Sequence, residues 1–398
     1  MIILSALGTG TYQEASYRFS RREQIVTTGF FAEALAQWYP DATLLILETP
    51  GAKSKHGEAV RLRIPHAQFL SILAKENELG EMAEDFSEES YWAMFQTVVD
   101  AIHEGEEVIF DITHSFRSLP MLGFLMLAYL RVAKNVTLRR VLYGAWEAKG
   151  EQGITPVFDL TPFVTMLDWA QAANRFKDTG DASLFTPLLQ EKRIAAFNSV
   201  SRQLTCLSEA LNANRGLRIG AEAAKLQKVI RFAEEQGGLE SHQRPFSLIL
   251  ERLKEQTAKL AHDEAPVLTL QAQHAQIHWY AERGHFPQAM ALAREWLISV
   301  RQWHEHGLVT MDQTEREQIN GDCNLVGDRA ALEALPAHLQ QFAQVHRAVN
   351  SLRNDLMHFG FNSHPAQAGQ LKNNTLNLLA QLPAAVLPLG LDLNWDSV

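Results

Sequence analysis

The chain has 398 residues, of which 46% are hydrophobic and 21% are charged. This composition is that of a globular protein with the length for two or three domains, and it excludes disordered, collagenous and low-complexity proteins. The 36 Lys and Arg residues against 46 Asp and Glu residues give a net charge of −10, which excludes a general nucleic-acid coat protein. Any nucleic acid must therefore be bound at a local site.

Cysteine usage and hydropathy indicate the compartment. The two cysteines, Cys206 and Cys323, form no CxxC pair, which argues against a disulfide framework and a cysteine zinc site and fits a reducing environment. The N-terminus lacks the basic start of a signal peptide, and the longest apolar run, residues 118–130, is too short to span a bilayer. We expect a soluble cytoplasmic protein with no membrane partner.

The first 160 residues alternate strand and helix patterns. Continuous apolar runs at residues 1–6 and 43–48 are typical of strands buried on both faces of a parallel sheet. The alternation predicts an α/β fold, a doubly wound Rossmann-like sheet that binds ligands beyond the C-terminal ends of its strands. The predicted strands are residues 1–6, 43–48, 107–113, 138–146 and 156–160, and the predicted helices are residues 28–39, 91–103 and 119–132.

From about residue 163 onward the pattern is helical, and we predict an all-α second half. No internal repeat of solenoid period is visible. The expected division is a sheet domain at residues 1–165 and a helical domain at 166–398, with a helical linker or insertion near 180–270. Helices are predicted at residues 192–211, 221–235, 246–260, 267–283, 287–301, 335–358 and 367–382, and loops or small insertions at 237–244 and 310–328.

Two loops follow predicted strands, and the first is the glycine-containing segment GTGTY at residues 8–12. Glycines permit close backbone approach, and exposed N–H groups can hold phosphate oxygens. The third glycine of a dinucleotide fingerprint is replaced by Gln13, and no Walker GK[ST] follows. A dinucleotide-dependent enzyme with Glu48 on the ribose is therefore disfavoured. Taken alone, the segment is better explained as a tight strand-to-helix turn.

The second loop, DITHSFRSLP at residues 111–120, ends a strand and begins a helix, where free N–H groups and the helix dipole favour an anion. Arg117 can pair with phosphate in a forked geometry, and Thr113 and Ser115 can donate hydroxyl hydrogen bonds. Helix capping by Ser115 or Ser118 is the structural alternative, but it requires neither His114 nor Arg117. Two such loops at strand ends favour a phosphate-bearing ligand.

The two segments LGTGTY and DITHSFRSLP resemble the motifs of the CARF domain of CRISPR-associated proteins, in the subfamily whose second motif is D-x-T-H-x-F-R. The resemblance covers about the first 160 residues, and DITHSFRSLP is its specific part. It implies a dimeric sensor of cyclic oligoadenylate, and the subfamily favours cyclic tetra-adenylate. A ring with repeated phosphates suits a two-fold symmetric site in a homodimer or larger assembly. The residues implied to line the ligand site are Gly8, Thr9, Gly10, Tyr12, Thr113, His114, Ser115 and Arg117.

The second half carries a candidate catalytic segment, SLRNDLMHFG at residues 351–360, at the end of a predicted helix with Gly360 as its expected C-cap. Asn354 and His358 are four residues apart and share a helix face. Arg353 and His358 are about 140° apart around the helix, so they are not close partners within one chain. The structural alternative is a solvated face formed by Arg353 and Asp355, with His358 capping the helix.

The segment RNDLMH resembles the R-x4-6-H motif of HEPN ribonucleases, and with the first half it gives a CARF–HEPN ribonuclease of type III CRISPR systems. The resemblance implies metal-independent cutting of single-stranded RNA: the 2′-hydroxyl attacks the adjacent phosphate, leaving a 2′,3′-cyclic phosphate and a 5′-hydroxyl. Arg353 would stabilise the phosphorane charge, His358 would act as acid, base or electrostatic partner, and Asn354 would orient the phosphate or His358. The upstream segments at residues 278–286 and 293–295 also match the subfamily and are expected to be packing.

No histidine has metal-ligand spacing such as HExxH, so we expect no metal and no cofactor other than the cyclic oligoadenylate activator. Two other functions remain open. The helical half could be a DNA-binding or interaction module of a ligand-responsive regulator, although no basic recognition helix is visible. The sheet domain could also be a ring nuclease that cuts the cyclic messenger with His114, Ser115 and Thr9.

Overall fold

A computed structural model describes residues 1–19, 24–114, 118–190, 195–235, 244–262, 265–324 and 329–393. The chain divides into two compact units, Met1–Thr165 and Met166–Val398. Within the described residues, no helix is both long enough and apolar enough to cross a membrane.

The first unit is built on one mixed sheet, whose strand order in the described residues is β3-β2-β10-β9-β8-β1-β4-β5. Five neighbouring strands from β9 to β5 are parallel; β10 is antiparallel to β9, and β3 to β2. A separate hairpin pairs β6 with β7. The strands are Ile2–Leu7 (β1), Ala15–Arg18 (β2), Val26–Thr28 (β3), Thr43–Glu48 (β4), Gln68–Ser71 (β5), Ala74–Glu76 (β6), Met82–Glu84 (β7), Glu107–Asp111 (β8), Thr137–Gly144 (β9) and Ile154–Asp159 (β10).

The sheet is covered on both faces, as the doubly wound expectation requires. Side chains of successive β1 residues enter opposite cores: Ile2 and Leu4 pack with Met94 of α3, whereas Ile3 packs with Phe31 of α1. This is why the buried strands are continuous apolar runs without polar alternation. The helices that follow strands of this unit are Phe31–Trp38 (α1), Pro50–Arg63 (α2), Glu88–Ala101 (α3) and Ser118–Ala133 (α4).

Helix α4 lies directly against β8. A Cβ atom at Gly123 would clash with the ring of Phe110 on β8, so this close approach requires glycine. Helix α2 was not predicted from the sequence. Its apolar periodicity is weak, although two local start signals are present: Thr49 accepts a hydrogen bond from the Ala52 amide at 3.3 Å, and Pro50 occupies the first turn.

The second unit is all-α, so the predicted fold class, α/β followed by all-α, is confirmed. One core contains most of its buried apolar side chains, among them Trp296 and Phe342. Helix α5 (Thr161–Thr179) begins in the first unit. The remaining helices are Phe185–Gln190 (α6), Ala195–Asn212 (α7), Gly216–Glu235 (α8), Arg244–Ala258 (α9), Pro266–Glu282 (α10), Phe286–His306 (α11), Gln313–Asn324 (α12), Arg329–Glu333 (α13), Ala337–Met357 (α14), Ala368–Leu379 (α15) and Leu382–Val386 (α16).

Of the loop or small insertion predicted at residues 310–328, the loop is wrong, because helix α12 occupies most of the segment. The segment is too polar for an apolar stripe to reveal it, and its helix is held by polar contacts. Arg316 of α12 donates to Glu295 Oε2 at 2.9 Å and to Gln302 Oε1 at 3.1 Å, and Ile319 is buried. Most of the loop expected at residues 237–244 lies outside the described residues.

Candidate functional site

The two predicted loops lie side by side at the carboxyl edge of the sheet. Strands β1 and β8 are neighbours in the sheet. The other neighbour of β1 is β4, and the other neighbour of β8 is β9. The chain returns from β1 to β4 on one side by way of β2, β3 and α1, whereas it passes from β8 through α4 to β9 on the other side. Such a topological switch point is where open α/β sheets bind ligands.

A buried hydrogen bond joins the two strand ends. The Ser5 hydroxyl on β1 donates to Asp111 Oδ2 on β8 at 2.6 Å. Asp111 Oδ1 accepts from the Thr113 amide at 2.8 Å. Burial raises the pKa of the Asp111 carboxyl, and the hydrogen bonds from Ser5 and Thr113 oppose that rise. Asp111 therefore fixes the start of the second loop.

Thr113 is used in the fold itself. Its Oγ1 accepts a hydrogen bond from the amide of Gly144, at the end of β9, at 2.9 Å. This contact occupies the hydroxyl as an acceptor and ties the second loop to the next strand. The Thr113 side chain also forms a hydrogen bond with the Asp111 carboxyl group.

Tyr12 closes the first loop onto its own beginning. Its phenol oxygen accepts from the Gly8 amide at 2.6 Å and donates to the Gly8 carbonyl at 2.9 Å. Burial raises the pKa of the Tyr12 phenol to about 12. Tyr12 therefore shapes the GTGTY loop, while its ring faces the second loop.

Three rings meet between the two loops. The Tyr12 ring centroid lies 4.4 Å from that of His114 and 4.6 Å from that of His56. Burial lowers the pKa of His114 to about 4, and His56 contributes in the same direction. His114 is therefore neutral near pH 7, and its buried Nε2 has no hydrogen-bond partner among the described residues.

Sequence reasoning missed two side chains of α2 that hold the first loop. Lys55 donates through Nζ to the Thr9 carbonyl at 2.7 Å, and His56 Nε2 lies 2.7 Å from the Gly10 carbonyl. The Thr49-Pro50 helix start was the one available signal for α2, and nothing in the sequence linked it to residues 46 positions earlier.

A cavity of about 260 Å³ opens between the loops and is lined in part by Tyr12, Tyr17, His114 and Trp146. Thus the structure brings together the described members of the expected ligand site, Gly8 to Tyr12 and Thr113 to His114. Ser115 and Arg117 lie outside the described residues. The disfavoured ribose-binding acid, Glu48, is buried and accepts from Arg61 Nη2 at 2.6 Å.

The candidate catalytic segment ends α14. Asn354 and His358 line one cavity of about 710 Å³ in the second unit, as their shared helix face predicts. His358 caps the helix, with its amide donating to the Asn354 carbonyl at 3.0 Å. The expected cap, Gly360, is in the left-handed conformation at φ 72°, but Phe359 before it is already left-handed at φ 55°.

Arg353 is not among the residues that line this cavity. Its Nη1 donates to Asn354 Oδ1 at 3.0 Å, so Asn354 joins the guanidinium to the residues of the cavity. The buried Nε of Arg353 has no hydrogen-bond partner within the described part of the chain. The guanidinium retains donors for an anion that approaches from outside.

Asp355 is not part of a merely solvated face. Its Oδ1 accepts a hydrogen bond from the Asn362 side chain, and its Oδ2 accepts from the Ala366 amide at 3.0 Å. The carboxylate thereby braces the loop that follows His358. The hydrogen bonds span 7 and 11 residues, which no helix periodicity could have indicated.

The upstream segments are largely packing, as expected. Tyr280 is buried and donates to the Leu211 carbonyl at 2.7 Å, and Ala293 is buried in the helical core. Within the described residues, no group of three or more His, Cys, Asp or Glu side chains is placed to hold a metal ion.

Comparison with known proteins finds similarity to CRISPR-associated proteins over part of the chain. A family model described as the second domain of CRISPR-associated protein MJ1674 matches residues 165–263. CRISPR-associated protein MJ1674 of Methanocaldococcus jannaschii is 28% identical over 144 residues, which are 36% of this chain and 22% of that protein. These matches support the resemblance to CRISPR-associated proteins stated from the sequence. The matched stretch covers about a fifth of that relative's length.

Among solved structures, Csm6 of Enterococcus italicus bound to cyclic hexa-2′-fluoro-hexa-dAMP aligns with 98% of this chain and 94% of its own. The sequence identity is 10% and the TM-score 0.43. Similarity at this level assigns no function.

Proposed function

We propose that this protein is a cyclic oligoadenylate-activated endoribonuclease of type III CRISPR defence, which cuts single-stranded RNA without a metal ion. Residues 1–165 would be the CARF sensor and residues 166–398 the HEPN effector, with the segment near 180–270 as a helical linker or insertion. The observation that carries the proposal is the placement of Asn354 and His358 on one cavity at the end of α14, in a chain related to a CRISPR-associated protein.

The sensor assignment is supported by the chemistry of the switch point. Gly8 to Tyr12 and Thr113 to His114 converge there, and the neutral imidazole of His114 lines the cavity with a buried Nε2 that has no partner among the described residues. Lys55 adds a positive charge next to Thr9. These features suit cyclic tetra-adenylate, in which phosphates and bases repeat around a ring. Ser115 and Arg117 complete the proposed set.

The proposed chemistry breaks one phosphodiester bond. The 2′-hydroxyl of RNA gives up its proton as its oxygen attacks the adjacent 3′-phosphorus, the bond from phosphorus to the 5′-oxygen breaks, and that oxygen takes up a proton and leaves as a 5′-hydroxyl. His358 would accept the first proton or supply the second. Arg353, held by Asn354, would stabilise the charge on the five-coordinate phosphorus. A few such contacts need no basic surface, so the net charge of −10 is compatible.

The proposed homodimer has a suitable surface on the first unit. Helix α4 exposes Met121, Leu125 and Tyr129 on successive turns, each more than half exposed, and α3 exposes Trp92 nearby in the same unit. Exposed apolar side chains in such a row are characteristic of protein contacts. A second copy of this chain is the proposed occupant, since a ring ligand calls for two related loops. The dimer should become a monomer in Leu125→Glu when mass is measured by light scattering.

Cleavage of a fluorescent single-stranded RNA in EDTA tests the proposal, with and without cyclic tetra- or hexa-adenylate. The wild-type chain should cut only with one ring, and His358→Ala should not cut. Gln370→Ala on α15, outside the proposed site, serves as the control and should cut like wild type. Ring binding without any cutting would leave the helical unit as an interaction module.

A ring nuclease activity is a second candidate. It is favoured by His114, whose Nε2 has no hydrogen-bond partner among the described residues and whose ring, like that of His56, packs against Tyr12. The same reactions test it when the cyclic adenylate is followed by chromatography. Linear products that persist in His358→Ala and are lost in His114→Ala would support it, and an intact ring after prolonged incubation would exclude it.

A further inference from the structure

The cavity at the end of α14 has a second part that the cleavage chemistry does not use. We propose that it is a nucleobase-binding subsite, in which the ring of Phe361 stacks on a base next to the scissile phosphate and side-chain amides of α15 contact the edge of that base. The choice of RNA as occupant rests on the proposed function. The subsite itself rests on the following contacts.

Phe361 is held in an exposed position rather than left on a loose loop. Its side chain is 90% exposed, yet it lines the cavity together with His358. Its amide donates to the His358 carbonyl at 2.9 Å. This bond fixes the backbone of Phe361, three residues after the candidate catalytic histidine. An apolar ring kept in water beside a polar cavity is suited to cover the face of a flat ligand.

The backbone around Phe361 is ordered by specific contacts. Asp355 accepts hydrogen bonds from Asn362 and Ala366 on the far side of Phe361. On the near side, Phe359 adopts the left-handed conformation at φ 55°, which is costly for a residue with a Cβ atom. The hydrogen bonds to Asp355 hold this turn in spite of the strain at Phe359, and the turn leaves the Phe361 ring exposed.

The opposite wall supplies hydrogen-bonding groups without charge. Asn374 and Asn377 of α15 line the cavity, are exposed, and have no side-chain hydrogen bond within the described residues. An amide presents both a donor and an acceptor, which is the pair that a base edge requires. No Lys or Arg lines this cavity in the described part of the chain. The wall therefore suits a base rather than a second phosphate.

The size and composition of the cavity favour a nucleotide of single-stranded RNA. Its volume of about 710 Å³ lies within the usual range for small-ligand sites. Unpaired bases are commonly recognised by stacking on an aromatic side chain and by hydrogen bonds to their edges. Both kinds of group are present here, next to the residues proposed to cut the backbone.

Binding of uncut RNA tests this inference independently of cleavage. The probe is a set of fluorescein-labelled single-stranded hexanucleotides of A, C, G or U, titrated with the full-length His358→Ala chain and cyclic tetra-adenylate and followed by anisotropy. Adding Phe361→Ala should weaken binding about tenfold, as loss of one base–aromatic stack does, and Phe361→Trp should restore it to within about twofold. Asn377→Ala should reduce the affinity differences among the four hexanucleotides.

Phe359→Ala is the matched control, because Phe359 is 88% exposed on the same turn but does not line the cavity. It should change the affinity less than about twofold. The inference would be overturned if Phe361→Ala and the parent chain bound RNA with equal affinity, even if the substitution lowered the mass of the oligomer. Absence of RNA binding by the parent chain would also overturn it. Stacking-dependent binding by a chain that never cuts would retain the subsite and refute the nuclease.

Discussion

The hydroxyl of Ser5 and the carboxylate of Asp111, 106 residues apart in sequence, form a buried hydrogen bond of 2.6 Å between β1 and β8. This bond lies just before the two loops that make the proposed sensor site. The geometry of that site therefore depends on a contact that no ligand touches.

Ser5→Ala should lower the free energy of unfolding by about 1–3 kcal/mol, because it removes a hydrogen bond from a buried carboxyl group. Urea unfolding of the full chain at neutral pH measures the change. Ser16→Ala is the matched control on a strand, since the Ser16 hydroxyl pairs with Thr27 at an exposed position. The control should change stability by less than about 0.5 kcal/mol. Equal losses in the two variants would show that the buried bond adds nothing.

Lys55→Met should weaken cyclic tetra-adenylate binding about tenfold and also lower the melting temperature, because the contact that it removes holds the first loop in the free chain. The substitution removes the ammonium that donates to the Thr9 carbonyl, and charge-assisted hydrogen bonds of this kind contribute about 1.5–3 kcal/mol. Calorimetric titration of the ring into each variant gives the affinity. Lys53→Met, an exposed lysine on the same helix, removes the same charge without that contact and should bind like wild type. A similar loss in both variants would indicate general electrostatic attraction instead.

Asp355→Asn should reduce RNA cleavage about tenfold without a comparable loss of stability. It weakens the two hydrogen bonds that order the loop after His358, and small displacements of positioned groups are costly for catalysis. Cleavage rates at saturating ring, together with thermal melting, distinguish positioning from folding. An unchanged rate would mean that the loop is ordered without the Asp355 carboxylate.

The stability of the chain should fall below pH 6.5, in part because of His346. This side chain is fully buried in α14, and neither ring nitrogen has a hydrogen-bond partner in the described part of the chain. Burial lowers the pKa of His346 to about 4, with Arg294 acting in the same direction and Glu295 against it. The unfolded chain takes up a proton on this histidine near pH 6.5, whereas the folded chain does so only near pH 4. The contribution of the buried neutral ring to the free energy of unfolding is therefore fully present above pH 6.5 and is lost as the pH falls toward 4.

From these values, His346 alone should cost about 2 kcal/mol between pH 7.5 and pH 5. His346→Met should therefore flatten the pH dependence by that amount in urea unfolding at the two pH values. His346→Gln, which cannot titrate but keeps a polar group, should show the same flattening at lower overall stability. A pH dependence identical to that of wild type in both variants would contradict the prediction.

The elements that follow local rules could be predicted from the sequence, and the contacts between distant segments could not. Apolar runs located β1, β4 and β8, and the loops after β1 and β8 were found because each is a strand end rich in polar or glycine residues. The roles of Lys55 and Asp355 could not be predicted from the sequence, because each depends on a carbonyl or amide partner that only the fold brings near. Helix α12 was not predicted, because polar contacts rather than an apolar stripe hold it.

The central position of β1 has a consequence for the order in which the chain can fold. Strand β1 is flanked by β4 and β8, so one of its edges has no partner until residues 107–111 are made. Closing so long a stretch costs chain entropy before any contact offsets it, and pairing across such a separation is slow. The loops after β1 and β8 therefore come together only once the whole segment between them has been made, so the edge of the sheet where they meet forms late.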